Sequence, residues 1–142
     1  MTDNNNIITM NPPQVDYLNL LEPPPAILVS ELDASNDYAN IVTLSAYTAH
    51  NVREVVHKMF HELTLGNVMF EFNPMSATWN CSYFPHDYIS EVAFMFSLWH
   101  QNGMLLIEKV YLSGHHETYD ELCNSLVGSV FEFMNPTHIQ TQ

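Results

Sequence analysis

Two helical stripes of identical spacing constrain this chain more than anything else in it. Val52, Val55, Val56, Met59, Phe60 and Leu63 fall at i, +3, +4, +7, +8 and +11, and Tyr119, Leu122, Cys123, Leu126, Val127 and Val130 repeat those offsets. Each set predicts a helix with one apolar face. A helix with one apolar stripe must lay it on another layer. Everything between the two stripes reads with period two instead. Val68, Phe70 and Phe72 alternate with Met69 and Glu71, and Pro74 closes the run. Trp79, Cys81 and Tyr83 alternate with Thr78, Asn80 and Ser82, and Pro85 closes that one. Val92, Phe94, Phe96 and Leu98 share one face of a longer strand, Asn102-Gly103 suits a primed hairpin turn, and Met104 to Leu112 returns antiparallel. Ahead of the first helix, Val42, Leu44 and Ala46 alternate with Thr43, Ser45 and Tyr47 in a first strand over 41–47.

The order strand, helix, strands, helix predicts an α+β domain over residues 39–134. Its antiparallel sheet has four or five strands, with both helices on one face. Asn51 with Glu54, and Thr118 with Glu121, have the spacing of N-terminal capping boxes, and Gly66 is placed to end the first helix. Residues 1–38 read as a Pro- and Asn-rich extended or disordered tail, broken by Asn4 to Asn6, Pro12-Pro13 and Pro23 to Pro25. Val15, Tyr17, Leu18, Leu20 and Leu21, then Ile27, Leu28 and Val29, interrupt it. Such clusters serve as docking motifs or pack on the protein's own surface. Residues 135–142 read as a frayed end.

Charge narrows the function classes. The 142 residues hold 16 acidic side chains against three basic ones, a formal charge of -13. That field repels phosphate backbones and anionic lipid headgroups, so nucleic acid and anionic membranes are not expected partners. The aromatic sheet residues Trp79, Tyr83, Phe94, Phe96 and Trp99 lack the basic surround of a base-stacking platform, and most are expected in the core. Two cysteines, Cys81 and Cys123, are too few for a disulfide framework and read as buried free thiols in a reducing compartment. No apolar run reaches the ~20 residues of a membrane span, and the first ten residues lack the pattern of a signal peptide, so a cytoplasmic location is expected.

The ordered region resembles the kinase-associated-1 domain, the small C-terminal regulatory fold of several protein kinases, related to the C-terminal regions of AMP-activated and calcineurin-B-like-interacting kinases. The resemblance spans residues 40–133. It rests on element order, on Thr48-Ala49-His50-Asn51-Val52-Arg53-Glu54-Val55 leading into the first helix, and on Val110-Tyr111-Leu112-Ser113-Gly114 followed by Tyr119, Leu122 and Cys123. It implies binding to anionic phospholipid through basic patches, or contact with a kinase domain or partner subunit. Here Lys109 stands alone beside His115, His116, Glu117, Asp120 and Glu121. Protein contact is therefore the implication that survives. No Gly-rich phosphate loop, His-Arg-Asp loop or Asp-Phe-Gly motif of a kinase is present.

Catalytic and metal chemistry find little footing. His57 and His61 at i, i+4 with Glu54 nearby are the candidate metal ligands, but the group lies opposite the apolar stripe and the His-Glu-x-x-His pattern is absent. Solvated side chains are the expected state. His115-His116 reads as a polar turn before the second helix. No catalytic residue and no cofactor is expected. If the helices cover one face only, Met69, Met95 and Trp99 lie exposed on the other as a candidate partner patch, unless the Pro-rich segment folds back over it. The expected function is a non-enzymatic regulatory module contacting a kinase or another partner protein. A small-ligand or lipid binder using the apolar space between sheet and helices is the second reading, and an enzyme the third.

Overall fold

The computed structural model describes residues 26–33, 38–85 and 90–137. The Pro-rich residues 1–25, with the Val15 to Leu21 cluster, and the last five residues lie outside the described ones. Strand β1 (Ser30–Glu31) and a 3-10 turn (Tyr38–Asn40) lead into β2 (Ile41–Ala46) and helix α1 (Ala49–Leu65). Strands β3 (Met69–Asn73), β4 (Thr78–Tyr83), β5 (Val92–Gln101) and β6 (Met104–Ser113) follow, then helix α2 (His116–Met134). The fold is α+β, as the two stripes and the alternating runs require.

The sheet runs β2-β6-β5-β4-β3, every neighbour antiparallel. β5 and β6 form its spine, joined through Asn102 and Gly103 at φ 53° and 78°, the left-handed pair a type I′ turn demands. β1 adds a sixth strand, parallel to β5, pairing Ser30 with Trp99 and Glu31 with His100 just beyond the point where β4 stops at Thr78. Residues 26–33 therefore line the sheet, although their composition assigns them to the tail. Leu28 N–H donates to Pro74 O and Leu32 N–H to His100 O, both at 2.8 Å. Leu32 is buried, and Ile27 and Val29 lie against the core.

Both helices sit on the same face of the sheet. The stripe of α1 and that of α2 enter one core with Phe70, Phe72, Trp79, Phe94, Phe96, Leu98, Leu105 and Ile107. The rings interlock, Phe72 to Trp79 at 4.5 Å between centroids and Phe94 edge-on to Phe96 at 5.7 Å. Each such side chain stabilises by ~1.5–3 kcal/mol on burial. These side chains make one shared core between sheet and helices.

Both helix starts lie three residues ahead of the expected capping boxes. Thr48 caps α1, its Oγ1 accepting from Asn51 N–H at 3.0 Å, while Asn51 Nδ2 donates to Ala46 O at 2.9 Å. His115 caps α2, its Nδ1 accepting from Thr118 N–H at 3.3 Å. Asn51 and Thr118 are instead the residues whose backbone amides are capped. Gly66 does end α1, but the left-handed residue is the next one, Asn67 at φ 58°. Val68 N–H donates to Leu63 O and Asn67 N–H to Thr64 O, the two bonds of a Schellman motif, with Val68 and Leu63 both buried. At the far end of α2, Asn135 Nδ2 donates to Leu44 O at 2.6 Å and ties the helix to β2.

Candidate partner face on the open side of the sheet

Cross-strand register orders the face turned away from the helices into rows. Met69, Ser82 and Ala93 make the first, and Glu71, Asn80, Met95 and Val110 the second. Asn73, Thr78, Ser97, Glu108 and Ile41 make the third, and Trp99, Leu106 and Thr43 the fourth. Met69, Met95 and Trp99 therefore share one face, but they do not form one patch. Met95 and Trp99 are four residues apart on β5, about 13 Å at the usual strand rise. The third row separates them and is polar from Asn73 to Glu108, with Thr78 Oγ1 and Ser97 Oγ 3.3 Å apart.

The two ends of this face differ. At the Trp99 end, Leu106 is buried and Trp99 is half-buried, its Nε1–H donating to Glu108 Oε1 at 2.9 Å. β1 runs alongside. The bonded indole is held in place as part of the fold. At the Met69 end a shallow trough of about 530 Å³ crosses the sheet, lined by Met69, Glu71, Asn80, Ser82 and Leu112 together with Phe70, Cys81 and Phe94. Met69 is 61 % exposed and Leu112 52 %. Ser82 Oγ–H donates to Glu91 Oε2 at its rim. Exposed aliphatic side chains thus lie beside carboxylates at this end of the sheet.

Leu112 and Glu91 lie outside the candidate patch of Met69, Met95 and Trp99 that the sequence suggests. The alternation of β6 carries the signal for Leu112, since Leu106, Glu108, Val110 and Leu112 fall in one phase. Counting back from the hairpin sets Leu112 opposite Ala93, in the row of Met69, and the irregular pairing at Ala93 and Phe94 places Ser113 there instead.

The cations are confined to one layer, although its helices also carry Glu54, Glu62, Glu117, Asp120, Glu121 and Glu132. Lys58 pairs with Glu62 on α1 at 3.1 Å, and Lys109 Nζ reaches Asn124 Oδ1 on α2 at 2.7 Å and lies 5.9 Å from the Tyr119 ring centre. Arg53 is exposed on α1. All three cations of the chain thus sit in or against the helix layer. The open face carries Glu71 and Glu108, with Glu91 at its rim.

The remaining sequence candidates take structural places. His57 and His61 are exposed on α1 and Glu54 is half-buried. Among the described residues no three His, Cys, Asp or Glu side chains gather to hold an ion. His115 is the cap of α2, and His116 Nδ1 lies 3.2 Å from Asp120 Oδ2, its ring tilted against that of Tyr111 at 4.7 Å between centroids. Cys81 and Cys123 are buried. Burial pushes the Cys81 thiol far above its ordinary range, reinforced by Cys123, and pushes Cys123 up to about 12 against the opposing pull of Lys109. Both thiols are protonated at neutral pH and are poor nucleophiles. No helix among the described residues is long and apolar enough to cross a membrane.

In comparison with known proteins, the chain matches no family model and no curated protein.

Proposed function

We propose that this chain is a non-enzymatic regulatory module that binds a partner protein through the open face of its sheet. The observation that carries the proposal is the trough at Met69 and Leu112, apolar and exposed on a sheet whose other face is closed by both helices. The likeness to kinase-associated-1 domains makes a protein kinase the first partner to seek, in the cytoplasm. The concentration of carboxylates on the chain and the lack of a cation on the open face argue against nucleic acid and anionic membrane as ligands.

The test is capture of proteins from native lysate by wild type and three variants. Met69→Ser with Leu112→Ser removes the exposed aliphatic surface of the trough. Trp99→Ala probes the other end of the face. Leu65→Ser removes an equally exposed leucine, 65 % accessible, at the end of α1. The double variant is expected to lose the specific partner with its Tm within a few degrees of wild type, since exposed substitutions cost within about 0.5 kcal/mol each. Leu65→Ser is expected to keep it. Trp99→Ala is expected to lower Tm more than the double variant, because Trp99 is half-buried and bonded. Full capture by the double variant contradicts the proposal.

A further inference from the structure

We infer that the trough takes a partner segment in which an aliphatic residue is flanked by Lys or Arg. This inference rests on the partner-face reading above and adds to it the chemistry of the partner. Two features of the trough set that chemistry. Its lining offers the exposed Met69 and Leu112, unbranched and branched aliphatic groups that an aliphatic anchor covers. Its charged groups are Glu71 in the lining and Glu91 bonded to Ser82. No lysine or arginine offsets them, since Arg53, Lys58 and Lys109 all belong to the helix side. The whole chain at -13 extends the same sign of field beyond the face. An anionic partner meets repulsion there, and a second copy of this chain brings the same charge. A cationic segment is steered in, and the carboxylates meet its Lys or Arg at the rim of an apolar contact.

The probes are three short synthetic peptides: a Lys-Leu repeat, a Glu-Leu repeat and a Lys-Ser repeat. Binding is followed by fluorescence anisotropy and by amide shifts of the protein, at about 150 mM salt so that distant charges are screened. The Lys-Leu peptide is expected to bind with shifts at Met69, Glu71, Asn80, Ser82 and Leu112, the Lys-Ser peptide more weakly, and the Glu-Leu peptide not at all. Glu71→Lys with Glu91→Lys is expected to weaken the Lys-Leu peptide about tenfold or more, as attraction becomes repulsion at a contact rim. Glu121→Lys with Glu132→Lys, both on exposed positions of α2, makes the same change in net charge and is expected to stay within about twofold of wild type. Should the lysine variants lower Tm, Glu71→Gln with Glu91→Gln gives the same ranking with a smaller loss. Equal weakening by both charge-reversed pairs, or equal binding of the Glu-Leu peptide, overturns the inference. The partner-face reading fails separately: Met69→Ser with Leu112→Ser keeps its captured protein. If that pair loses capture while the Glu71 and Glu91 reversals keep it, the face stands and the cationic partner falls.

Discussion

Gly114→Ala is expected to lower the stability of this protein by about 3 kcal/mol. Gly114 turns the chain from β6 into α2 at φ +102°, a conformation that L side chains rarely adopt. An added Cβ would press on Glu91 O and lie 2.7 Å from Val92 Cα, both backbone atoms of the segment entering β5. Neither can swing aside as a side chain end would. The Tyr111 hydroxyl donates to Gly114 O across the same turn. The contrast is Gly128, inside α2, where a Cβ meets nothing within 4 Å and φ is not positive. Gly128→Ala is expected to stabilise by about 0.5–1 kcal/mol through helix propensity and a less free unfolded chain. Denaturant midpoints at constant slope measure both. Opposite signs are the expected result. A neutral Gly114→Ala would mean that the turn does not bring Gly114 against Glu91 and Val92.

Phe96→Ala is expected to cost about 3–5 kcal/mol, and Met95→Ala, its neighbour on β5, less than about 1.5 kcal/mol. Phe96 is fully buried under the helices and meets Phe94 edge-on. Its loss removes a whole aromatic side chain from the centre of the core and leaves a cavity that the rigid sheet cannot close. Met95 points to the open face, where solvent already meets part of it. Unfolding by urea compares the two directly. Costs of similar size would mean that the Met95 face is covered as thoroughly as the Phe96 face.

The elements were legible because their patterns are local. Val92, Phe94, Phe96 and Leu98 on one phase of β5, with Met95 and Trp99 on the other, separate the two faces before any contact is known. The Asn102-Gly103 hairpin and the helical stripes are equally local. The caps were misread by three residues because Asn51 and Thr118 are good capping residues lying one turn inside helices that Thr48 and His115 begin. An imidazole cap such as His115 has no strong sequence signature. β1 was illegible for a different reason. Ile27 to Val29 follow three prolines, and the parallel pairing of Ser30 with Trp99 depends on where β4 stops, which no local pattern announces. The candidate face was legible as a face and not as a patch. Alternation places Met69, Met95 and Trp99 on one side, but only register shows the Thr78–Ser97–Glu108 row between Met95 and Trp99, and only the trough brings Leu112 together with Met69.

A partner can dock on the sheet only if the face opposite the helices stands open. Methyl relaxation of methionine-labelled protein by a soluble nitroxide measures this directly, because methionines lie on both sides of the question. Met69 and Met75 are 61 % and 53 % exposed, and Met59 is fully buried on α1. Met69 is expected to relax as strongly as Met75, with Met59 protected. Protection of Met69 to the level of Met59 would contradict the account, since the face would then already be covered.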